Sequence, residues 1–133
     1  MTIDRRNFLA GASAGVTLIA APSLVRAQGT GPIKVGEINS YTAQPAFLKP
    51  YRQGWELALE QINAAGGALG RKIETVFRDD GGKPEDAVRH AGDLINAEKV
   101  DLLSGGFLSN VGLAIADFAL QNKKLYVASE PLS

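Results

Sequence analysis

The chain has 133 residues, of which 45% are hydrophobic and 21% are charged, and its formal net charge is zero. This composition is typical of one globular domain and excludes a disordered or fibrous chain. Basic residues are scattered or paired, so the chain lacks the basic stripe that nucleic acid binding requires. The absence of cysteine excludes a disulfide framework, thiol catalysis and thiolate metal sites.

Residues 1–27 have the organisation of an export signal. The pair Arg5-Arg6 is followed by a weakly hydrophobic run from Phe8 to Leu24, and then by the small-x-small sequence Val25-Arg26-Ala27. We therefore expect cleavage before Gln28 and a periplasmic location. An uncleaved membrane anchor is the alternative, but the run is short for a span and is interrupted by glycines and a proline.

The arginine pair also bears on the export route. Together with the residues that follow it, the pair resembles the twin-arginine signal of bacteria. Asp4 stands where that signal usually has Ser or Thr, so the general secretory route is the alternative.

Two hydrophobic periods alternate after this leader, one typical of strands and one of helices. The predicted strands are Ile33–Ile38, Lys72–Arg78, Val100–Leu103 and Leu125–Ala128. The first helix is stopped by Gly66-Gly67, and Trp55, Ala58, Leu59 and Ile62 form one stripe on it. The second opens at Pro84, and its stripe is Ala87, Val88, Ala91, Leu94 and Ile95. The third is Val111–Gln121, with Val111, Ala114, Ile115 and Phe118 facing inward.

Strands that alternate with single helices require right-handed crossovers and predict a parallel sheet covered on both faces. We therefore expect a doubly wound α/β fold. If the strand order is 2-1-3-4, as we expect for this fold, the chain reverses direction between the first and third strands. Ligands bind such sheets at the carboxyl ends of the strands, where the strand order reverses. Two predicted loops meet at this point, Asn39–Lys49 and Ser104–Asn110.

The segment Ser104–Asn110, SGGFLSN, has the composition of a ligand-binding loop. Its glycines allow a close backbone approach, and Ser109-Asn110 lie at the predicted N-cap of the third helix, where free N–H groups and a hydroxyl can hold a carboxylate. Phe107 provides an apolar wall, and the long facing loop contributes Tyr41 and Phe47. A plain helix cap with a tight turn, and aromatic residues that only pack the loop, are the alternative.

Other polar residues do not predict catalysis or metal binding. Asp79-Asp80 precede a Gly-Gly turn and are interpreted as capping it, because no further carboxylate follows at ligand spacing. The only histidine, His90, lies beside an apolar stripe and has no nucleophile motif. No metal or cofactor is predicted. The remaining charges near the site, Lys34, Glu37, Arg52 and Glu56, are interpreted as solvated.

Several segments together resemble a known family. The export signal is followed by IKVGEINSYTA, GWELALEQINAAGGALGRKIETVFRDDGGKPEDAV, LLSGGFLSN and NKKLYVASEPLS. From about Ile33 to the end, the chain looks like the amino-terminal part of the periplasmic substrate-binding proteins of branched-chain amino acid ABC transporters. The helix end Ile-Asn-Ala-Ala-Gly-Gly, followed by a strand and Asp79-Asp80, is the most specific part of the resemblance.

This resemblance implies a binding protein without enzymatic activity, which closes two lobes on a small solute and delivers it to an ABC permease. Residues 28–133 would then form the amino-terminal part of lobe one, without the remainder of that lobe or lobe two. The same lobe also occurs in extracytoplasmic sensors, which are the alternative class. A flavodoxin-like or response-regulator enzyme would need a phosphate or metal motif that the sequence lacks.

The resemblance also implies roles for individual residues. Ser109 with Phe107 would bind the ligand carboxylate, Phe47 would cover the ligand side chain, and Ser129-Glu130 would contact the amino group. Members that bind amino acids usually carry a threonine hydroxyl at the position where this chain has Leu132. An aromatic or aliphatic carboxylic acid, or an amide, is therefore the alternative solute.

Overall fold

The computed structural model describes residues 31–131; the leader and Leu132 lie outside these residues. Four strands alternate with three helices, as the sequence predicts. The elements are β1 (Ile33–Asn39), α1 (Pro45–Ala64), β2 (Ile73–Asp79), α2 (Pro84–Asn96), β3 (Leu102–Gly105), α3 (Ser109–Gln121) and β4 (Leu125–Ala128). Within the described residues, no helix has the length and apolar character needed to cross a membrane.

The four strands form one parallel sheet in the order β2-β1-β3-β4, which confirms the predicted topology. β1 is central, and its register runs from Ile33 opposite Ile73 to Asn39 opposite Asp79. Because all strands run in one direction, the loops that follow them emerge at the same edge of the sheet. The strand order reverses between β1 and β3, so the loops after these two strands flank the crevice.

The core lies between the sheet and the helices α2 and α3. Ile38 and Leu103 from the sheet pack there against buried apolar residues of both helices. The largest of these helical residues, Leu94 and Ile115, have no exposed surface. Gly36 in β1 makes room for Leu94, since a Cβ on Gly36 would lie 2.9 Å from the Leu94 Cδ1. This face is therefore closed by the tight packing that native interiors require.

In the part of the chain that the structure describes, α1 is the one helix on the opposite face of the sheet. Trp55 anchors this helix over β2, where its indole N–H donates to the Thr75 hydroxyl at 2.9 Å. Beside the helix, a groove of about 370 Å³ remains open, and its lining, which is almost wholly apolar, includes Val35, Leu59, Leu102 and Val127. The predicted stripe of α1 faces this groove and is not fully covered: Ala58 is exposed and Ile62 is 43% exposed. One helix is too narrow to cover four strands.

The first loop is shorter than the sequence predicts. α1 begins at Pro45, so the loop after β1 is only residues 40–44, and Phe47 and Lys49 lie in the helix. Proline at the first helical position has a φ already suited to a helix and lacks only an N–H that would be unpaired there. Pro50 lies inside the same helix, and α1 continues past it to Ala64.

Two boundaries on the α3 side also differ from the prediction. β3 runs from Leu102 to Gly105 because Val100 still belongs to the preceding turn, where its N–H donates to the Leu94 carbonyl at 3.1 Å. α3 begins at Ser109, and its N-cap is Leu108. The assignment of Ser109-Asn110 to the N-cap is therefore wrong by one or two positions; they are the first helical residues.

Candidate ligand-binding site

The two loops at the switch point meet, as predicted. The N–H of Gly106 donates to the Ile38 carbonyl at 2.9 Å, and the N–H of Phe107 donates to the Asn39 side chain at 2.9 Å. Gly105 and Gly106 have φ values of +109° and +85°, a conformation that residues with a Cβ rarely adopt. The two glycines of SGGFLSN therefore turn the chain sharply from β3 across the end of β1.

The structure brings Phe47 and Phe107 together at the mouth of this crevice. Their rings stack with centroids 5.6 Å apart and an interplanar angle of 28°. Phe47 is 64% exposed, although it is a large apolar residue. A stacked pair with so much open ring surface can pack against the apolar or aromatic part of a small molecule.

The N-terminus of α3 lies directly after Phe107. No side chain caps it, and its first turn contains no acidic residue. Its first N–H groups therefore lack the usual side-chain acceptor, and the Ser109 hydroxyl is half-buried beside them. Free N–H groups at a positive helix end favour an anionic group such as a carboxylate.

The segment after β4 closes the other side of the crevice. The Ser129 and Tyr51 hydroxyls are 3.1 Å apart, so Ser129 is joined to α1. Glu130 is half-buried, and its Oε2 accepts a hydrogen bond of 2.9 Å from the Asn39 amide. The structure thus places both residues at the predicted edge, but each already has a partner within the chain.

The interpretation of Glu37 as a solvated charge is wrong. Glu37 has no exposed surface, and its carboxylate accepts hydrogen bonds from the Tyr41 hydroxyl at 2.5 Å and from the Asn39 amide at 3.1 Å. Burial raises the pKa of Glu37 to about 7, although both hydrogen bonds oppose this shift. Sequence reasoning missed Glu37 because a glutamate is usually exposed. Its position within a central parallel strand was the signal that could have revealed its burial, since such strands are covered on both faces.

The other three charges have different environments. The Arg52 guanidinium lies 3.3 Å from the centre of the Phe77 ring and pairs with Glu56 at 2.6 Å, so it covers an aromatic face instead of being freely solvated. Glu56 is exposed, as expected. Lys34 is half-buried, and its ammonium donates to the Glu98 carbonyl at 3.3 Å.

Asp79 and Asp80 hold the first loop against the Gly81-Gly82 turn. Asp79 Oδ1 accepts from the N–H groups of Thr42 and Gly81 at 3.3 and 3.0 Å. Asp80 Oδ1 accepts from the Ser40 hydroxyl and from the Gly82 N–H, both at 2.7 Å. Burial raises the pKa of Asp80. These contacts are of the capping kind, and the described residues contain no group of three or more His, Cys, Asp or Glu that could hold a metal ion.

A doubly wound parallel sheet with the strand order 2-1-3-4 defines a class, the open α/β domains in which ligand sites lie at the carboxyl ends of the strands, where the strand order reverses. Comparison with known proteins makes this assignment specific. The family model described as periplasmic binding protein matches residues 32–133. The chain belongs to this periplasmic binding protein family.

Individual relatives agree with the family match. The chain is 32% identical over 99 residues to an "Amino acid binding protein" of Pseudomonas aeruginosa. The match covers 72% of this chain and 26% of that protein. It is 31% identical over 96 residues to a "Leu/Ile/Val-binding protein homolog 3" of Brucella melitensis, and this match covers 71% of this chain and 26% of that protein. The chain thus spans about a quarter of the length of these relatives.

A solved structure has the same fold. The solute binding protein of an ABC transporter from Rhodopseudomonas palustris, in complex with 3,4-dihydroxybenzoic acid, superimposes with a TM-score of 0.68 at 28% sequence identity. The match covers 75% of this chain and 27% of that chain.

Proposed function

We propose that this chain belongs to the solute-binding component of an ABC importer and binds a small carboxylate-bearing solute, such as a branched-chain amino acid, outside the cytoplasm. One observation carries the proposal. The open N-terminus of α3, with the Ser109 hydroxyl beside it, lies next to the exposed Phe47–Phe107 stack at the switch point of the sheet. Family membership and the printed functions of the relatives support it.

Each part of this edge has a role in the proposed complex. The N–H groups of the first turn of α3 and the Ser109 hydroxyl donate to the carboxylate. The Phe47 and Phe107 rings cover the apolar part of the solute. Ser129 and Glu130, at the end of β4, face the amino group, if the solute has one. A second lobe would bury the remainder of the solute, as in closed binding pockets.

An aromatic carboxylate, or an amide, is the second candidate solute. The stacked phenylalanine pair favours it, because an offset or edge-to-face third ring gains more from this surface than a short aliphatic chain does. The related solute binding protein from Rhodopseudomonas palustris holds 3,4-dihydroxybenzoic acid. The importer role is the same for either solute.

The proposed role contains no catalysis. The family is one of periplasmic binding proteins, and the proposed partner of the loaded form is an ABC permease. Residues 1–27 act in this proposal as the export signal, cleaved before Gln28. Mass spectrometry of the periplasmic protein is expected to find Gln28 as the first residue; a mature form that begins well before Gln28 would contradict the proposed cleavage.

Titration calorimetry of the full-length gene product tests the proposal with leucine, isoleucine, valine, benzoate, 3,4-dihydroxybenzoate and benzamide. We expect micromolar binding of at least one carboxylate and much weaker binding of its methyl ester. Failure of every carboxylate to bind would contradict the proposal.

Replacement of Ser109 locates the carboxylate. Ser109→Ala removes one donor to a charged group, which is worth about 1.5 to 3 kcal/mol, so affinity is expected to fall by about tenfold or more. Ser109→Thr keeps the hydroxyl and serves as the matched control. Equal affinities of the Ala variant and the wild type would remove Ser109 from the site.

A further inference from the structure

Asn39 occupies the point at which three segments of the candidate site converge. It is the last residue of β1 and has no exposed surface. The loop after β3 passes it on one side, and the segment after β4 passes it on another. Neither segment is close to Asn39 in sequence, so only tertiary contacts hold them together.

The Asn39 carboxamide uses its full hydrogen-bonding capacity. Its Oδ1 accepts from the N–H groups of Phe107 at 2.9 Å and Ser40 at 3.2 Å. Its Nδ2 donates to Glu37 Oε1 at 3.1 Å and to Glu130 Oε2 at 2.9 Å. An amide has two donors and one oxygen with two lone pairs, so all four positions are occupied. Only this orientation of the amide is satisfied, because a rotated amide would face N–H groups with its own N–H and carboxylates with its oxygen.

The partners of Asn39 explain why an amide is needed here. Two carboxylates, Glu37 and Glu130, converge on one NH2 group, and they repel each other unless a donor lies between them. Arg52 is a cation whose charge favours the ionised form of Glu37. The hydroxyls of Tyr41 and Tyr51 also face the Glu37 carboxylate. The remaining neighbour, Tyr126, donates its hydroxyl to the Gly105 carbonyl. Among residues 31–131, Asn39 alone connects both carboxylates to the N–H of Phe107 by hydrogen bonds.

We propose that Asn39 is a positioning residue of the binding site: by bridging Glu37 and Glu130 and accepting from the Phe107 N–H, it sets the Phe107 ring and the N-terminus of α3 in their binding geometry. This inference rests on the proposed function for its effect on affinity. Its structural part, that Asn39 fixes the Phe107 N–H by a hydrogen bond, does not depend on any ligand.

Amide hydrogen exchange tests the structural part in the full-length protein without ligand. Asn39→Ala removes the acceptor, and exchange at Phe107 is expected to accelerate by at least about tenfold, since one hydrogen bond to an amide is lost. Asn63→Ala is the matched control, because Asn63 makes a similar pair of bonds with the Ile73 backbone at the far end of the sheet. Equal exchange at Phe107 in the two variants would overturn the proposal.

A substitution that adds a charge but keeps the shape of the side chain tests the effect of Asn39 on affinity. Asn39→Asp places a third carboxylate between Glu37 and Glu130, and affinity for the bound solute is expected to fall about tenfold to hundredfold at pH 8 relative to wild type. The deficit should shrink toward pH 5, where the introduced carboxyl group, once protonated, can donate again. Adding Glu130→Gln restores the net charge and reverses donor and acceptor at the Glu130 contact, so at pH 8 it should bring the exchange rate of the Phe107 amide part of the way back to that of the wild type.

A deficit of Asn39→Asp that stays constant between pH 5 and pH 8, with no recovery of slow Phe107 exchange in the double variant, would overturn the positioning role, because a purely steric defect does not titrate. If the wild type binds none of the solutes, the proposed function fails, while exchange at Phe107 still decides whether Asn39 holds the loop.

Discussion

Glu37 and Asn39 are polar residues at the carboxyl end of a central strand, and neither has exposed surface. The sequence pattern favours Ser109, Phe107 and Phe47 as site residues and does not single out this pair. The structure shows that this pair contacts the predicted loop: the Asn39 side chain accepts from the Phe107 N–H and donates to Glu37. At this scale the sequence predicts which residue types suit a ligand, but hydrogen-bond partners far apart in the chain are invisible to it.

Glu37 is expected to make the stability of the protein pH-dependent. Its pKa is about 7 in the folded state against an ordinary value of 4.5, so between these values the folded state binds more protons than the unfolded state. The free energy of unfolding therefore falls as the pH rises from 5 to 8. The full shift corresponds to about 3 kcal/mol.

Glu37→Gln should remove this dependence. In urea unfolding at several pH values, we expect the free energy of unfolding of Glu37→Gln to rise relative to that of the wild type as the pH rises. Glu74→Gln, at an exposed position on β2, should keep the same pH dependence as the wild type. A constant difference between Glu37→Gln and wild type across the range would contradict the assignment.

The elements themselves follow from local patterns, with differences at their ends. The β3–α3 connection is the element on which the site depends most, and its shape comes from Gly105. A Cβ on Gly105 would overlap the Ile38 carbonyl oxygen, and the φ of +109° is one that residues with a side chain rarely adopt. Backbone atoms of a central strand cannot move away as the end of a flexible side chain can.

Gly105→Ala is therefore expected to destabilise the protein by about 2 to 4 kcal/mol, from backbone strain and steric overlap together. Gly54→Ala is the matched control, since Gly54 lies within α1 and its Cβ would meet nothing within 4 Å. That substitution should stabilise the protein by about 0.5 to 1 kcal/mol. Thermal and urea unfolding measure both, and similar effects of the two changes would contradict this account of the connection.

At the scale of the whole molecule, the two faces of the sheet are unequal. The α2–α3 face is closed, while the α1 face retains the apolar groove of about 370 Å³. β4 is an edge strand of the described sheet, and Leu125 and Val127 on it are 63% and 47% exposed. Open edges with apolar side chains favour pairing with another chain.

Residues 28–133 expressed alone are expected to be weakly folded or self-associating, and to bind leucine or benzoate no better than about millimolar, because one lobe leaves most of a ligand in water. Analytical ultracentrifugation, thermal unfolding and calorimetry measure these properties. Val127→Lys should reduce the association by placing a charge on the edge. A monomer with a cooperative thermal transition and micromolar affinity would contradict this prediction.

The sequence by itself determined the alternation of strands and helices, the parallel direction of the strands and the family resemblance. The alternation and the parallel direction follow from hydrophobic periods, glycine and proline positions, and the handedness of crossovers, all of which are local or apply to every sheet of this kind. The family resemblance rests on several whole segments, and the structure then confirmed the strand order 2-1-3-4.

Only the tertiary structure decided that α1 begins at Pro45, that its apolar stripe stays partly open, and that Glu37 is buried beneath the site. Tertiary contacts also decided that Asn39 joins Phe107 to Glu130 across three segments. Burial and long-range hydrogen bonds depend on which surfaces meet, and the periodicity of a single segment does not carry that information.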